Sequence, residues 1–159
     1  MNEEAKKKLL RMIPHALYVL SSRANGKTTV STVSWVSQAS FQPPLIMVAL
    51  KKDSNTFEVV KKAQGFVLNF LGKDQKEIAQ KFFKHVEPEG NSLAGETFQE
   101  SPLLKYPIFP KMAGFAECRI VGTVDKGDHV VVVAEVLEAE CGTTEGPLLL
   151  SSTGWHYGG

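Results

Sequence analysis

The sequence predicts a mainly β chain with short helices, built as a β-barrel rather than a parallel α/β sheet. Three observations support this. Apolar, β-branched runs of strand length recur along the chain, and tight turns such as Asn25-Gly26 and Asp125-Lys126-Gly127-Asp128 join several of them. The helix signals between them are short. Tight turns connect antiparallel neighbours, whereas a parallel pair needs a crossover of a dozen residues or more.

Asn2 offers an N-cap, Glu3 and Glu4 fall in the first turn, and Lys6, Lys7 and Lys8 follow, the order that a helix dipole favours. Pro14 ends that helix. Leu17, Tyr18, Val19 and Leu20 favour a strand over residues 15–23, and Asn25-Gly26 turns it into a second strand over 29–36. That second strand carries Ser31, Thr32 and Ser34 and continues into small residues before Pro43-Pro44, an atypical surface for a core strand. Leu45 to Leu50 is a continuous apolar run of buried-strand length. A helix with Phe57, Val59, Val60 and Ala63 follows, with Asn55 and Glu58 spaced as a capping box and Gly65 closing it. Phe66 to Leu71 reads as a strand, and Asp74 with Glu77 gives a second capping box before a helix containing Ile78, Ala79, Phe82 and Phe83. Residues 85–110 are rich in Gly, Pro, Ser and Glu; a loop of that length is expected to border a site. Two long strands, 113–124 and 129–139, and a short one at 148–150 complete the pattern before a Gly- and aromatic-containing tail.

At 159 residues the chain suits one domain, 1–159, with a core that needs no disulfide or structural metal. Its formal net charge is +1 and its one dense basic run, Lys6-Lys7-Lys8, is preceded by Glu3 and Glu4, which argues against a nucleic-acid partner. Cys118 and Cys141 lie outside any C-x-x-C spacing and read as reduced structural thiols. The apolar runs 45–50 and 130–134 are too short to span a bilayer, and the amino terminus lacks a signal-peptide pattern, so a soluble cytoplasmic protein without a membrane partner is expected. There is no G-x-x-x-x-G-K-[ST], G-x-G-x-x-G, H-E-x-x-H or G-x-S-x-G pattern. His15, His85, His129 and His156 show no local metal-ligand spacing, and no metal site is assigned.

The stretch Thr32-Val33-Ser34-Trp35-Val36-Ser37-Gln38-Ala39-Ser40-Phe41-Gln42-Pro43-Pro44 resembles the flavin reductase-like, FMN-binding split-barrel family. It is especially similar to the flavin reductase modules at the carboxyl end of photosynthetic flavodiiron proteins, where an S-W-V-S-Q-A-S-F-x-P-P pattern occurs. Gly127-Asp128-His129 and the closing Trp155-His156-Tyr157-Gly158-Gly159 also resemble family signatures, so the likeness runs from about Ala16 to the carboxyl end. The resemblance implies a Greek-key split β-barrel, a homodimer with the site at its interface, bound FMN with FAD as the other candidate, and NADH or NADPH as electron donor.

The resemblance also implies site residues. A flat isoalloxazine ring needs close backbone approach and polar groups at its pyrimidine edge, which the small residues around Thr32, Ser34, Ser37 and Ser40 permit, with Trp35 and Val36 beside them. From composition alone the same strand also suits an edge whose hydroxyls face water. Lys51, Ser54, Asn55 and Thr56 precede or open a helix and would meet the flavin phosphate, with Asp53 pointing away; a solvated turn with an ordinary N-cap has the same residues. His129 would face the flavin or the nicotinamide, or else cap a turn. His156 and Tyr157 would cover the ring from the tail, unless the tail is flexible. Phe82, Phe83, Phe109 and Phe115 read as core or dimer contacts.

Hydride transfer between a nicotinamide and a flavin is cofactor chemistry, so an NAD(P)H:flavin reductase needs no acid–base triad. The same pocket would also serve an electron carrier that exchanges electrons with a protein partner. A third reading is a split barrel for another ligand, such as haem or a pyridoxal-type phosphate, or an interaction module.

Overall fold

A computed structural model describes residues 1–142 and 145–158. Helix α1 (Glu3–Leu10) starts as expected: the Asn2 side-chain oxygen accepts from the Ala5 amide at 3.0 Å. It ends before Pro14 is reached and buries none of its residues. Strands β1 (Tyr18–Ala24) and β2 (Lys27–Val33) form the expected hairpin. Asn25 and Gly26 both have positive φ, 50° and 75°, the conformation of a two-residue turn whose twist matches the flanking strands.

The strand expected over 29–36 is two strands. After Val33 the chain leaves β1, passes through Ser34 and Trp35, and pairs as β3 (Val36–Ser40) with β4 (Leu45–Lys51). Helix α2 (Asn55–Ala63) is capped by Ser54, whose hydroxyl accepts from the Phe57 amide at 3.1 Å, rather than by Asn55. Its end is Gln64 in the left-handed region at φ 56°, and Gly65 instead opens β5 (Gly65–Phe70). Glycine is needed there for approach: a Cβ would stand 2.9 Å from the Cys118 carbonyl oxygen.

The second capping box does not form. Helix α3 (Lys76–Lys81) begins after Gln75 without a side-chain cap, and Phe82 and Phe83 lie beyond its end. The long loop carries the two-residue strands β6 (Ser92–Leu93), β7 (Glu96–Thr97), β8 (Gln99–Glu100) and β9 (Pro107–Ile108). Strands β10 (Gly114–Asp125) and β11 (His129–Cys141) match the two long expected strands. The strand expected at 148–150 is a single bridge from Leu149 to Ala16 followed by a 3-10 turn, Leu150–Ser152.

Seven strands form one antiparallel sheet in the order β2-β1-β5-β10-β11-β4-β3. No ladder joins the outer strands β2 and β3, so the sheet is not closed. The chain is thus mainly β with few short helices.

Side chains alternate across a strand, and Val19 and Leu20, adjacent on β1, enter different cores. Val19 joins Val30, Leu71, Phe82, Leu93, Phe98 and Phe109 under the long loop. Leu20 joins Val48, Val60, Phe66, Leu68, Val130 and Val132 under α2. The loop is tied to the sheet by buried polar groups. Asn69 donates to the Val19 carbonyl at 3.1 Å and accepts from the Phe109 amide at 3.2 Å, and Ser21 donates to the Pro107 carbonyl at 2.5 Å. Among the described residues, no helix is long and apolar enough to cross a membrane.

Candidate functional site

A cleft of about 560 Å³ opens where the chain leaves β2, and four segments supply most of its wall, with Leu17 and Leu150 completing it. The four are Ser31–Trp35, the end of β4 with the start of α2, Phe82 and Phe83 after α3, and the tail from Trp155 to Tyr157. The switch from β2 to β3 therefore creates the site: a strand continuing past Val33 would leave no gap beside Ser34 and Trp35.

The hydroxyls of this wall differ in their commitments. Thr32 donates to the Ala79 carbonyl at 2.7 Å, and its amide donates to the Phe82 carbonyl at 3.1 Å, which anchors α3 to β2. Ser31 and Thr56 share a hydrogen bond of 2.5 Å, and Thr56 lies 3.2 Å from the Thr29 hydroxyl. Ser34 is buried and lines the cleft, and among the described residues no hydrogen bond reaches its hydroxyl, which leaves it free for a bound molecule.

At the start of α2, Ser54 donates to the Lys51 carbonyl at 2.7 Å while capping the helix, and Lys51 and Thr56 line the cleft beside it. The Asn55 and Thr56 amides are first-turn donors with no helical acceptor. With the positive end of the helix dipole and the Lys51 ammonium, they form a setting for an anion. Asp53 is exposed and lies 3.2 Å from the Lys51 Nζ.

Aromatic rings close the rest. Trp35 packs on His129 at a centroid distance of 4.6 Å and edge-on against Tyr157 at 5.2 Å. Phe83 meets Trp155 edge-on at 4.7 Å, and the Lys76 ammonium stands 5.0 Å from the Trp155 ring while donating to the Thr153 carbonyl at 2.6 Å. Burial pushes the Tyr157 hydroxyl pKa up. The hydrogen bond and charge of His129 hold the Asp128 carboxyl below its ordinary range.

Of the residues singled out from the sequence, Thr32, Ser34, Trp35, Lys51, Ser54, Thr56, His156 and Tyr157 line the cleft. Val36, Ser37 and Ser40 do not; they run away along β3, and Ser37 is exposed with its hydroxyl donating to the Gln38 carbonyl at 3.1 Å. Asn55 stands at the rim, its Nδ2 3.5 Å from the Thr29 hydroxyl and 3.5 Å from the His85 ring. His129 stands behind Trp35 and Tyr157 rather than in the wall. Gly159 lies outside the described residues. No residue of the 85–110 loop lines the cleft, because its apolar side chains fill the core; only His85 comes near. Phe82, Phe83, Leu150 and Trp155 line it without having been singled out as site residues. Trp155 belongs to the closing segment that resembles the family signature, and Phe82 and Phe83 read from the sequence as core or dimer contacts.

The flavin reductase like domain family matches residues 10–158. Over 125 residues, 79% of this chain, the sequence is 29% identical to the reductase component of a 4-nitrophenol monooxygenase from Rhodococcus opacus, covering 65% of that protein. It is also 29% identical over 140 residues, 87% of this chain, to diflavin flavoprotein A 1 from Synechocystis, covering 24% of it. The chain thus spans less than two thirds of the length of these relatives. The NADH:FAD oxidoreductase of Streptomyces globisporus, solved with NAD and FAD fragments, shares the fold at a TM-score of 0.81 and 19% identity, covering 96% of this chain and 92% of that one. With the match running through nearly the entire sequence and the cleft at its strand switch, the chain belongs to the flavin reductase-like domain family.

Proposed function

We propose that the cleft binds FMN and that the chain is an NAD(P)H:flavin reductase, acting as one domain over 1–159. The observation that carries this reading is Ser34, a residue 6% exposed whose hydroxyl has no partner among the described residues and opens to the same cleft as the α2 N-terminus and Lys51. A flavin mononucleotide needs that set: a polar contact for its ring edge, apolar walls for its ring and a cationic end for its phosphate. Bound there, the flavin supplies the acceptor for hydride at its N5.

The protein's part is binding and alignment. Ser34 donates to or accepts from the ring edge, Trp35 and Tyr157 pack against the ring, and the Asn55 and Thr56 amides with Lys51 hold the phosphate. Lys51 must exchange Asp53 for that phosphate. Phe83 and Trp155 exclude water from the opposite side. His129 is a positioning residue that acts through Tyr157 and Trp35. One phosphate cradle favours FMN over FAD.

The open sheet, with its cleft where the chain switches from β2 to β3, suits a split barrel. The homodimer that the resemblance implies would cover Phe41 and Met47, which are 89% and 40% exposed on the β3–β4 ribbon. Both cysteines are free, which suits the cytoplasm. Reduced flavin would pass to free solution or to a protein acceptor.

The test is an absorption titration with FMN and FAD, followed by anaerobic NADH and then NADPH. Bound FMN that bleaches with either donor is the expected result and shows the donor preference. Bound flavin that stays oxidised would make the chain an electron carrier. No flavin binding would reject the reading.

A further inference from the structure

A second cavity, of about 420 Å³, lies against the tail. It shares Leu150, Trp155, His156 and Tyr157 with the cleft, so one segment of chain walls both. Its other wall runs from Leu10 to His15. Both volumes are in the usual range for ligand sites, roughly 300–1,000 Å³.

The lining has a definite chemistry. It contains no Asp or Glu, and its permanent charge is Arg11. Among the described residues Arg11 has no carboxylate partner; its Nε donates only to the Gly158 carbonyl, at a long 3.4 Å. The rest of the guanidinium fork is therefore available, and a planar fork suits phosphate oxygens. Beside it stand Leu10, Met12 and Ile13, all exposed, and the half-buried Trp155, surfaces on which a flat heterocycle can pack.

With a flavin and the nicotinamide ring that must meet it in the cleft, the remainder of the dinucleotide has the adjoining cavity to run into. That remainder carries negative phosphates and a flat base, and the neighbouring cavity offers a cation and apolar surface across a shared wall. We infer that this cavity receives the adenosine-phosphate half of the nicotinamide dinucleotide, with Arg11 on the phosphates and the adenine against Met12 and Trp155. The inference rests on the reductase reading of the adjoining cleft.

The test uses Arg11→Gln in the full chain with bound FMN, whose reduction is followed anaerobically with two donors. NADH carries the adenosine-phosphate half, and reduced nicotinamide mononucleotide lacks it. R11Q should raise the NADH concentration for half-maximal reduction about tenfold, the loss of one charge-assisted hydrogen bond to phosphate. The limiting rate should hold, as should the dependence on reduced nicotinamide mononucleotide. An unchanged NADH dependence, or equal losses with both donors, overturns the inference. Calorimetry with ADP-ribose, which transfers no hydride, separates the two readings. ADP-ribose binding that R11Q weakens, with flavin that neither donor reduces, overturns the reductase reading alone. Binding that R11Q leaves untouched overturns the cavity's assignment alone.

Discussion

The His129 Nε2 lies 2.7 Å from the Tyr157 hydroxyl, and both rings pack on Trp35. Asp128 holds the other ring nitrogen of His129 at 2.8 Å, so the turn before β11 orients the imidazole that anchors the tail. The next residue, Gly158, has φ +85°, and a Cβ there would stand 2.7 Å from the Trp35 ring.

Loosening this anchor should weaken flavin binding without unfolding the protein. Tyr157→Phe removes one hydrogen bond of about 1 kcal/mol, which corresponds to roughly fivefold in FMN affinity. Gly158→Ala, which needs both a left-handed backbone and a shifted Trp35, should cost at least as much. Fluorescence titration of FMN measures both, and unchanged affinity in both variants would mean that the tail does not cover the flavin.

Ser34 and Thr56 should separate binding from stability. Ser34→Ala removes a hydroxyl with no partner among the described residues, so thermal stability should hold while FMN affinity falls on the order of tenfold. Thr56→Val instead breaks the contacts to Ser31 and Thr29 and should lower stability by about 1–2 kcal/mol. It should also weaken FMN more than riboflavin, which lacks the phosphate. A Ser34→Ala variant that unfolds early, or Thr56→Val losses equal for FMN and riboflavin, would contradict these roles.

Features decided by local chemistry were legible in the sequence. The Asn25-Gly26 turn is one, because both residues tolerate positive φ, and the Asn2 cap is another. The cap of α2 was misplaced by one residue because Ser54 and Asn55 are both good caps; the contact of Ser54 with the Lys51 carbonyl decides between them. Gly65 read as a helix stop, whereas its place is set by the distant Cys118 carbonyl. The break at Ser34-Trp35 was invisible for the same reason: composition favours a strand throughout, and the change of partner from β1 to β4 is tertiary. Hence the motif from Thr32 to Pro44 was recognised as one flavin stretch, although only its first residues wall the cleft.

Glu117 should matter for the loop and not for the cleft. It is fully buried, and its carboxylate accepts from the Leu103 amide at 3.0 Å and the Leu104 amide at 2.7 Å. Glu117→Ala takes the acceptor from two part-buried amides and empties a fully buried side-chain position, and should cost about 2–4 kcal/mol. Hydrogen exchange should show residues 101–106 losing protection first, with FMN affinity at permissive temperature unchanged. Loss of FMN binding in a variant that remains folded would place Glu117 in the site after all.

The neighbouring Cys118 gives a prediction in pH. Burial, and secondarily the charge of Glu117, push its thiol from an ordinary 9.0 up to about 12. A folded-state value above the unfolded one means that the native state holds the proton more tightly. The associated stability is therefore complete below pH 9 and lost as pH rises from 9 toward 12. Thermal unfolding should show a decline across that window. At pH 8 iodoacetamide should label only the exposed Cys141 in the native protein and both cysteines in denaturant, as counted by mass spectrometry. Rapid native labelling of Cys118 at pH 8 would show that the sheet beneath α2 opens far more readily than its packing implies, since little thiolate forms at that pH while the residue stays buried among Phe66, Leu68 and Val132.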